Sequence, residues 1–191
     1  MKRLDLVVGP NGAGKSTFIT YVLRPEVPDA LIVNADDIAR ARWPEDPEGH
    51  AYEAMEIASR TRHALISSGQ DFIAESVFSH ESKLDLITEA RDSGFTVVAH
   101  VLLVPEELSV RRVAARVRAG GHRVPEEKIR TRYQRLWGNV VGAILRSHSA
   151  FVWDNSPHGP PILVAQFANG VVSGRPRWPE WTPPILVERW P

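Results

Sequence analysis

Cysteine is missing from this 191-residue chain, which rules out disulfides, thiolate metal sites and thiol catalysis together. Net charge is missing as well. The 23 Lys and Arg residues balance 23 Asp and Glu, so no global field recommends a nucleic acid or an anionic membrane as a partner. No apolar run is long enough to span a bilayer, and "MKRLDLVVGP" enters a strand directly, so the expectation is a cytoplasmic protein without membrane contact. Internal repeats and low-complexity linkers are also lacking. What is left is ordinary globular composition, 43% hydrophobic and 24% charged, in a length that suits one domain with an appended tail.

The zero balance conceals an asymmetry. Between positions 111 and 135 stand Arg111, Arg112, Arg116, Arg118, Arg123, Lys128, Arg130, Arg132 and Arg135, opposed there only by Glu126 and Glu127, whereas "NADDIA" and "PEDPE" upstream are acidic.

Along the chain, short apolar runs alternate with helical patterns. "RLDLVV", "ALIV", "DFIAESVF", "FTVVAHVLLV" and "AFVWDNS" read as strands. "KSTFITYVL", "AYEAMEIASRTRHALISSG", "HESKLDLITEARDSG", "PEELSVRRVAARVRAGG" and "VPEEKIRTRYQRLWGNVVGAILRSH" read as helices, several closed by glycine. Strands that are apolar throughout, each followed by a helix, imply a mainly parallel sheet covered on both faces, a three-layer α/β fold. The expected layout is one domain over 1–156, with an arginine-rich helical lid at about 106–135 hinged at Gly120-Gly121. Residues 157–191 follow as a hairpin around Asn169-Gly170 and a Pro/Trp-rich extended arm, laid on the domain or on a partner.

Gly9-Pro10-Asn11-Gly12-Ala13-Gly14-Lys15-Ser16, followed by Thr17, matches G-x-x-x-x-G-K-[ST] between a strand and a helix. Glycines let the backbone N–H groups wrap a phosphate, and the next helix points its positive end at the anion. Lys15 is placed to reach the β- and γ-oxygens, and the Ser16 hydroxyl to ligate Mg²⁺. The expected cofactors are therefore ATP or GTP with Mg²⁺. Transporter-type ATPases share "GPNGAGKST" but carry an "LSGGQ" signature and a strand ending in Asp-Glu, neither of which occurs here.

If phosphate is transferred, the acceptor hydroxyl needs a carboxylate to orient and deprotonate it. "VNADD" supplies Asp36 and Asp37 at the end of the second strand, where the ligand crevice of such a sheet opens. Capping of the following helix by one of them is the competing reading. Arg40, Arg60 and Arg62 line an anionic pocket or are ordinary helix charges. Arg111, Arg118 and Arg132 read as surface, while Asp154-Asn155 touches a ligand or makes a turn.

The P-loop, "NADD", "FIAESVFSHESK" and "RVAARVRAGGHRVP", in that order over roughly residues 3–156, resemble the zeta-toxin family of P-loop kinases. The resemblance implies ATP-dependent phosphorylation of a small-molecule hydroxyl, with UDP-N-acetylglucosamine as the best-known acceptor, and an antitoxin protein as partner of toxin members. It puts the catalytic aspartate at Asp36, substrate contacts at Glu75 and Ser76, and two phosphate-reaching arginines at Arg116 and Arg123; Asn34 and Arg40 are further candidate substrate contacts. Polynucleotide 5′-kinases show a similar N-x-D-D, which keeps a nucleic-acid acceptor as an alternative ranked below a metabolite. An NTP-switched interaction module that docks through the Pro/Trp arm is a third.

Overall fold

The computed structural model describes residues 2–121 and 124–191. Seven strands form one sheet in the order β2-β3-β1-β4-β5-β6-β7. Strands β1 (Arg3–Val8), β2 (Leu31–Val33), β3 (Phe72–Ser76), β4 (Thr96–Leu103) and β5 (Ser149–Asp154) run parallel. β6 (Ile162–Ala168) joins β5 antiparallel, and β7 (Val171–Val172) closes a hairpin on it. Asn169 and Gly170 both hold positive φ at its tip, the twist that a two-residue hairpin requires.

Alternation along the strands builds two cores. Leu4, Leu6 and Val8 point to a face covered by α3 (Ala51–Ser68), α4 (Lys83–Asp92) and α6 (Glu126–Arg146). Val7, Ile73 and Leu102 point to the other face, against Phe18, Ile19 and Leu23. Those three belong to α1 (Lys15–Phe18) and the π-helical stretch Ile19–Leu23 that continues it. Asp5 also points to this second face. It is buried, and it accepts hydrogen bonds from Arg3 at 2.7 and 2.8 Å and pairs with the His100 ring at 2.9 Å. A carboxylate so placed needs those partners to offset its burial.

The β4–β5 crossover carries two helices, α5 (Glu106–Arg118) and then α6. Arg130 on α6 bonds Glu106, Glu107 and Glu126, tying the first turns of both helices together. In the tail, Pro184–Arg189 form a helix, α7, within an otherwise extended segment. Leu186 and Trp190 are buried against the α6 face, the Trp190 ring packs edge-on against Phe167 at 4.8 Å, and Trp178 Nε1 donates to the Trp190 carbonyl. No helix among the described residues is long and apolar enough to cross a membrane.

Candidate active site

The carboxyl ends of β1, β2 and β3 face a single cavity of about 250 Å³. The strand-to-helix turn after β1 forms its floor. Gly12 and Gly14 stand there at φ +73° and +83°, a left-handed conformation that an L side chain adopts only under strain. Close approach excludes a side chain as well: a Cβ on Gly12 would meet the Ser109 carbonyl at 2.8 Å, and one on Gly14 the Asn155 amide at 2.6 Å. The turn is thus braced from outside. Asn155 Nδ2 donates to the Ala13 carbonyl at 2.6 Å, the Ser109 hydroxyl donates to the Asn11 carbonyl, and Arg112 anchors the carbonyls of Asn155 and Ser156.

Lys15 is buried and donates to the carbonyls of Gly9 and Pro10 at 3.1 and 3.0 Å. Burial pushes its ammonium below the ordinary lysine value. The carboxylates of Glu75 and Asp36 oppose that, and the guanidiniums of Arg116 and Arg132 add to it. Ser16 donates its hydroxyl to Glu75 Oε2 at 3.0 Å. Burial raises the Glu75 carboxyl above the usual range despite Lys15 and the Ser16 hydrogen bond, and Asp37 and Asp36 raise it further.

Asn34 connects this corner to β2. Its Oδ1 accepts from the Asp36 N–H at 2.8 Å, which makes it the N-cap of α2 (Ala35–Arg42), and its Nδ2 donates to Glu75 Oε2 at 2.9 Å. Capping by Asp36 or Asp37, the competing reading of "NADD", is therefore overturned, because Asn34 fills that role. Asp37 pairs with Arg40 on the exposed side of α2. Asp36 lines the cavity, and its carboxylate has no hydrogen-bond or ion-pair partner among the described residues.

The other expected site residues divide by position. Arg116 and Arg40 line the cavity, and so does Ser76, whose hydroxyl accepts from the Phe78 N–H in its own loop. Thr17 is exposed beside the turn without lining the cavity. Arg123 and His122 lie outside the described residues. Arg132, expected at the surface, lines the cavity instead, because α6 turns that side of its first half toward the P-loop. Asp154 makes a turn by accepting from the Ser156 N–H, while Asn155 holds the P-loop.

Sequence reasoning did not anticipate the Ser109, Arg112 and Asn155 brace, nor Lys83 in the cavity wall. For Lys83 a signal existed: a lysine in the first turn of a helix opposes the helix dipole and has a reason to be there.

The residues fit a nucleotide and its ion. The turn offers backbone N–H groups, an ammonium and a helix start to phosphates. A hydroxyl and a carboxylate oxygen meet at Ser16 and Glu75, the oxygen chemistry Mg²⁺ prefers. Among the described residues no cluster of three or more His, Asp or Glu forms a protein-only cage, and Mg²⁺ in such sites relies on waters and phosphates instead.

The profile of AAA_33, described as an AAA domain, matches residues 4–137, well over half of the chain. An uncharacterized protein of Haemophilus influenzae is 31% identical over 128 residues, which is 65% of this chain and 88% of that protein. Among solved structures, a chain of the AvrRxo1-ORF1:ORF2 complex with ATP is similar over 100% of this chain at a TM-score of 0.73 and 18% identity. This chain spans only 63% of that one. A chain from the PezAT toxin-antitoxin system of Streptococcus pneumoniae is similar over 80% of this chain and 68% of its own length, at a TM-score of 0.58 and 13% identity. Both likenesses concern the fold, the three-layer P-loop fold described above. By the match over residues 4–137, the chain belongs to the AAA domain family AAA_33.

Proposed function

We propose that the protein is an ATP-dependent phosphotransferase that moves the γ-phosphate to a hydroxyl of a small anionic metabolite, with a nucleotide sugar such as UDP-N-acetylglucosamine as the first acceptor to test. One observation carries this reading. An unpartnered carboxylate, Asp36, shares a cavity with the P-loop lysine and serine and acts electrostatically on that lysine. A kinase needs such a group to orient the acceptor hydroxyl and take its proton.

The chain's own residues divide the work. Lys15 and the turn from Gly9 to Ser16 hold the β- and γ-phosphates. Ser16 and Glu75 would hold Mg²⁺, which neutralises charge between those phosphates when bound. Asp36 receives the acceptor proton. Arg116 and Arg132 stand where their charge reaches Lys15, so they also reach the transferring group, an effect worth about 10³–10⁵ in rate where an arginine finger is essential.

The basic segment gives less support to a polynucleotide acceptor. Arg130 is engaged by three carboxylates and Arg112 by backbone carbonyls, while Arg116 and Arg132 line the cavity, so these four do not form a free phosphate-tracking stripe. A zeta-type toxin role, with an antitoxin partner, belongs to the same reading and predicts growth arrest on expression that depends on Asp36.

The test incubates purified protein with Mg-ATP and a panel of nucleotide sugars and 5′-hydroxyl oligonucleotides, followed by mass spectrometry. A small acceptor gains one phosphate, and Asp36→Asn abolishes the gain while still binding ATP. Transfer unchanged in a folded Asp36→Asn protein would overturn the mechanism. A phosphorylated oligonucleotide would overturn the acceptor class.

A further inference from the structure

The cavity has a second cationic corner that the P-loop chemistry leaves unused. Arg62 projects from α3 and Lys83 from the first turn of α4, and both line the cavity. They are near enough that the Arg62 charge acts on Lys83, and burial lowers both groups below their ordinary values. No carboxylate compensates them. Among the described residues neither side chain makes a hydrogen bond or an ion pair, although the same cavity holds Asp36 and Glu75. Arg116 and Arg132 line the same cavity and act on Lys15.

Two like charges brought together in a partly desolvated wall destabilise the fold unless an anion joins them. Lys83 also stands in the first turn of α4, where its ammonium opposes the helix dipole. The loop before α4 is built to hold that point. Phe78 is fully buried at φ +62°, a conformation costly for a bulky residue, and Asn139 of α6 donates to its carbonyl at 3.0 Å.

On the kinase reading given above, we infer that Arg62 and Lys83 form the acceptor's anion subsite, binding a phosphate or diphosphate group of the acceptor on the side of Asp36 away from the P-loop. The acceptor class follows: a hydroxyl compound that already bears phosphate, in place of a neutral sugar or an amino acid.

The experiment saturates the full-length protein with the non-hydrolysable analogue Mg-AMPPNP and titrates inorganic phosphate, read by calorimetry. The loaded wild type binds phosphate saturably. Arg62→Gln and Lys83→Gln each weaken it by about tenfold or more, and the double variant loses it. Arg111→Gln binds as the wild type does, and AMPPNP affinity stays within about twofold throughout, which also reports that each variant is folded. Glycerol 3-phosphate and UDP-glucose in parallel titrations separate a terminal monoester from an internal diphosphate by which of them the double variant loses. Absence of saturable phosphate binding to the loaded wild type, or equal binding by the double variant, overturns the subsite. The two readings fail separately. Phosphate binding with no acceptor phosphorylated in the panel would sink the kinase and leave the subsite. An acceptor phosphorylated with the same KM by wild type and double variant would do the reverse.

Discussion

Glu75 stands between three tasks, accepting from Ser16 and Asn34 while it faces Asp36 and Asp37. Burial raises its carboxyl, so the folded protein holds that proton more tightly than the unfolded chain does. Its stabilising contribution is present below the ordinary value of about 4.3 and is lost as pH rises through the folded value. Glu75→Gln, which can still accept from Asn34 and Ser16, is therefore expected to raise the Tm of the nucleotide-free protein at pH 7 and to leave it unchanged near pH 4. The same variant loses Mg²⁺-dependent ATP affinity. Melting curves at the two pH values, with and without Mg-ATP, check both halves. Arg132 makes a second case at this scale: Arg132→Ala is expected to lower kcat by tenfold or more, while Arg111→Ala on the outer face changes it by less than about twofold. Equal, small effects on kcat would return Arg132 to the surface role its sequence context suggests.

At the scale of elements, the start of α2 is the informative one. Asn34 caps the helix with its oxygen and holds Glu75 with its nitrogen, so one amide sets Asp36 relative to Ser16. Asn34→Ala removes both links and is expected to cost about 1 kcal/mol of stability together with a loss in kcat. Asn34→Asp retains the cap but sets a carboxylate against Glu75. It should keep most of the stability lost in the alanine variant, yet lose as much transfer. Denaturant melts paired with single-turnover rates separate the two effects. If both variants lose transfer only in proportion to stability, Asn34 is a cap and nothing more. The α5–α6 pair is a unit of the same kind: Arg130 locks its base, while Gly120, at φ +83°, follows the end of α5.

At the scale of the molecule, the tail decides what kind of protein this is. Trp190 is buried, packs edge-on against Phe167 of β6 and accepts a hydrogen bond from Trp178. A docking arm for an exchanging partner would leave such rings exposed; here they complete the α6 face. Trp190→Ala is expected to cost about 3–5 kcal/mol, the range for removing a large aromatic from a core. Removal of residues 174–191 should lower the Tm and expose apolar surface, measurable by dye binding. A truncated protein with an unchanged melting temperature would restore the arm as a free element. Asp5 adds a pH dependence in the opposite direction to Glu75. Burial alone would raise its carboxyl, but hydrogen bonds from His100 and Arg3 outweigh that and hold it below the usual range. Its contribution is present above the ordinary value of about 3.9 and lost as pH falls through the folded value. Asp5→Asn should flatten the acid limb of the stability profile.

Contiguous features were legible in the sequence. The P-loop is a backbone conformation dictated by residues next to one another, and "LVVGPNGAGKST" carries its glycines, lysine and serine in one stretch. The strand–helix alternation that specifies a parallel three-layer sheet is local in the same way, and Asp36 follows from standing just past a strand. The sequence by itself thus determined the P-loop turn, the fold class and the place of the carboxylate of Asp36 past the second strand. Only the tertiary structure decided which ordinary charges matter. Arg62, Lys83, Arg116 and Arg132 lie on four different helices; Lys83 and Arg132 look like any solvated helix charge until the sheet order brings all four to one cavity. The Asn155 brace spans 142 positions to reach Ala13. Such convergence depends on how crossover helices pack across the sheet, a sum over the whole core that no local spacing encodes.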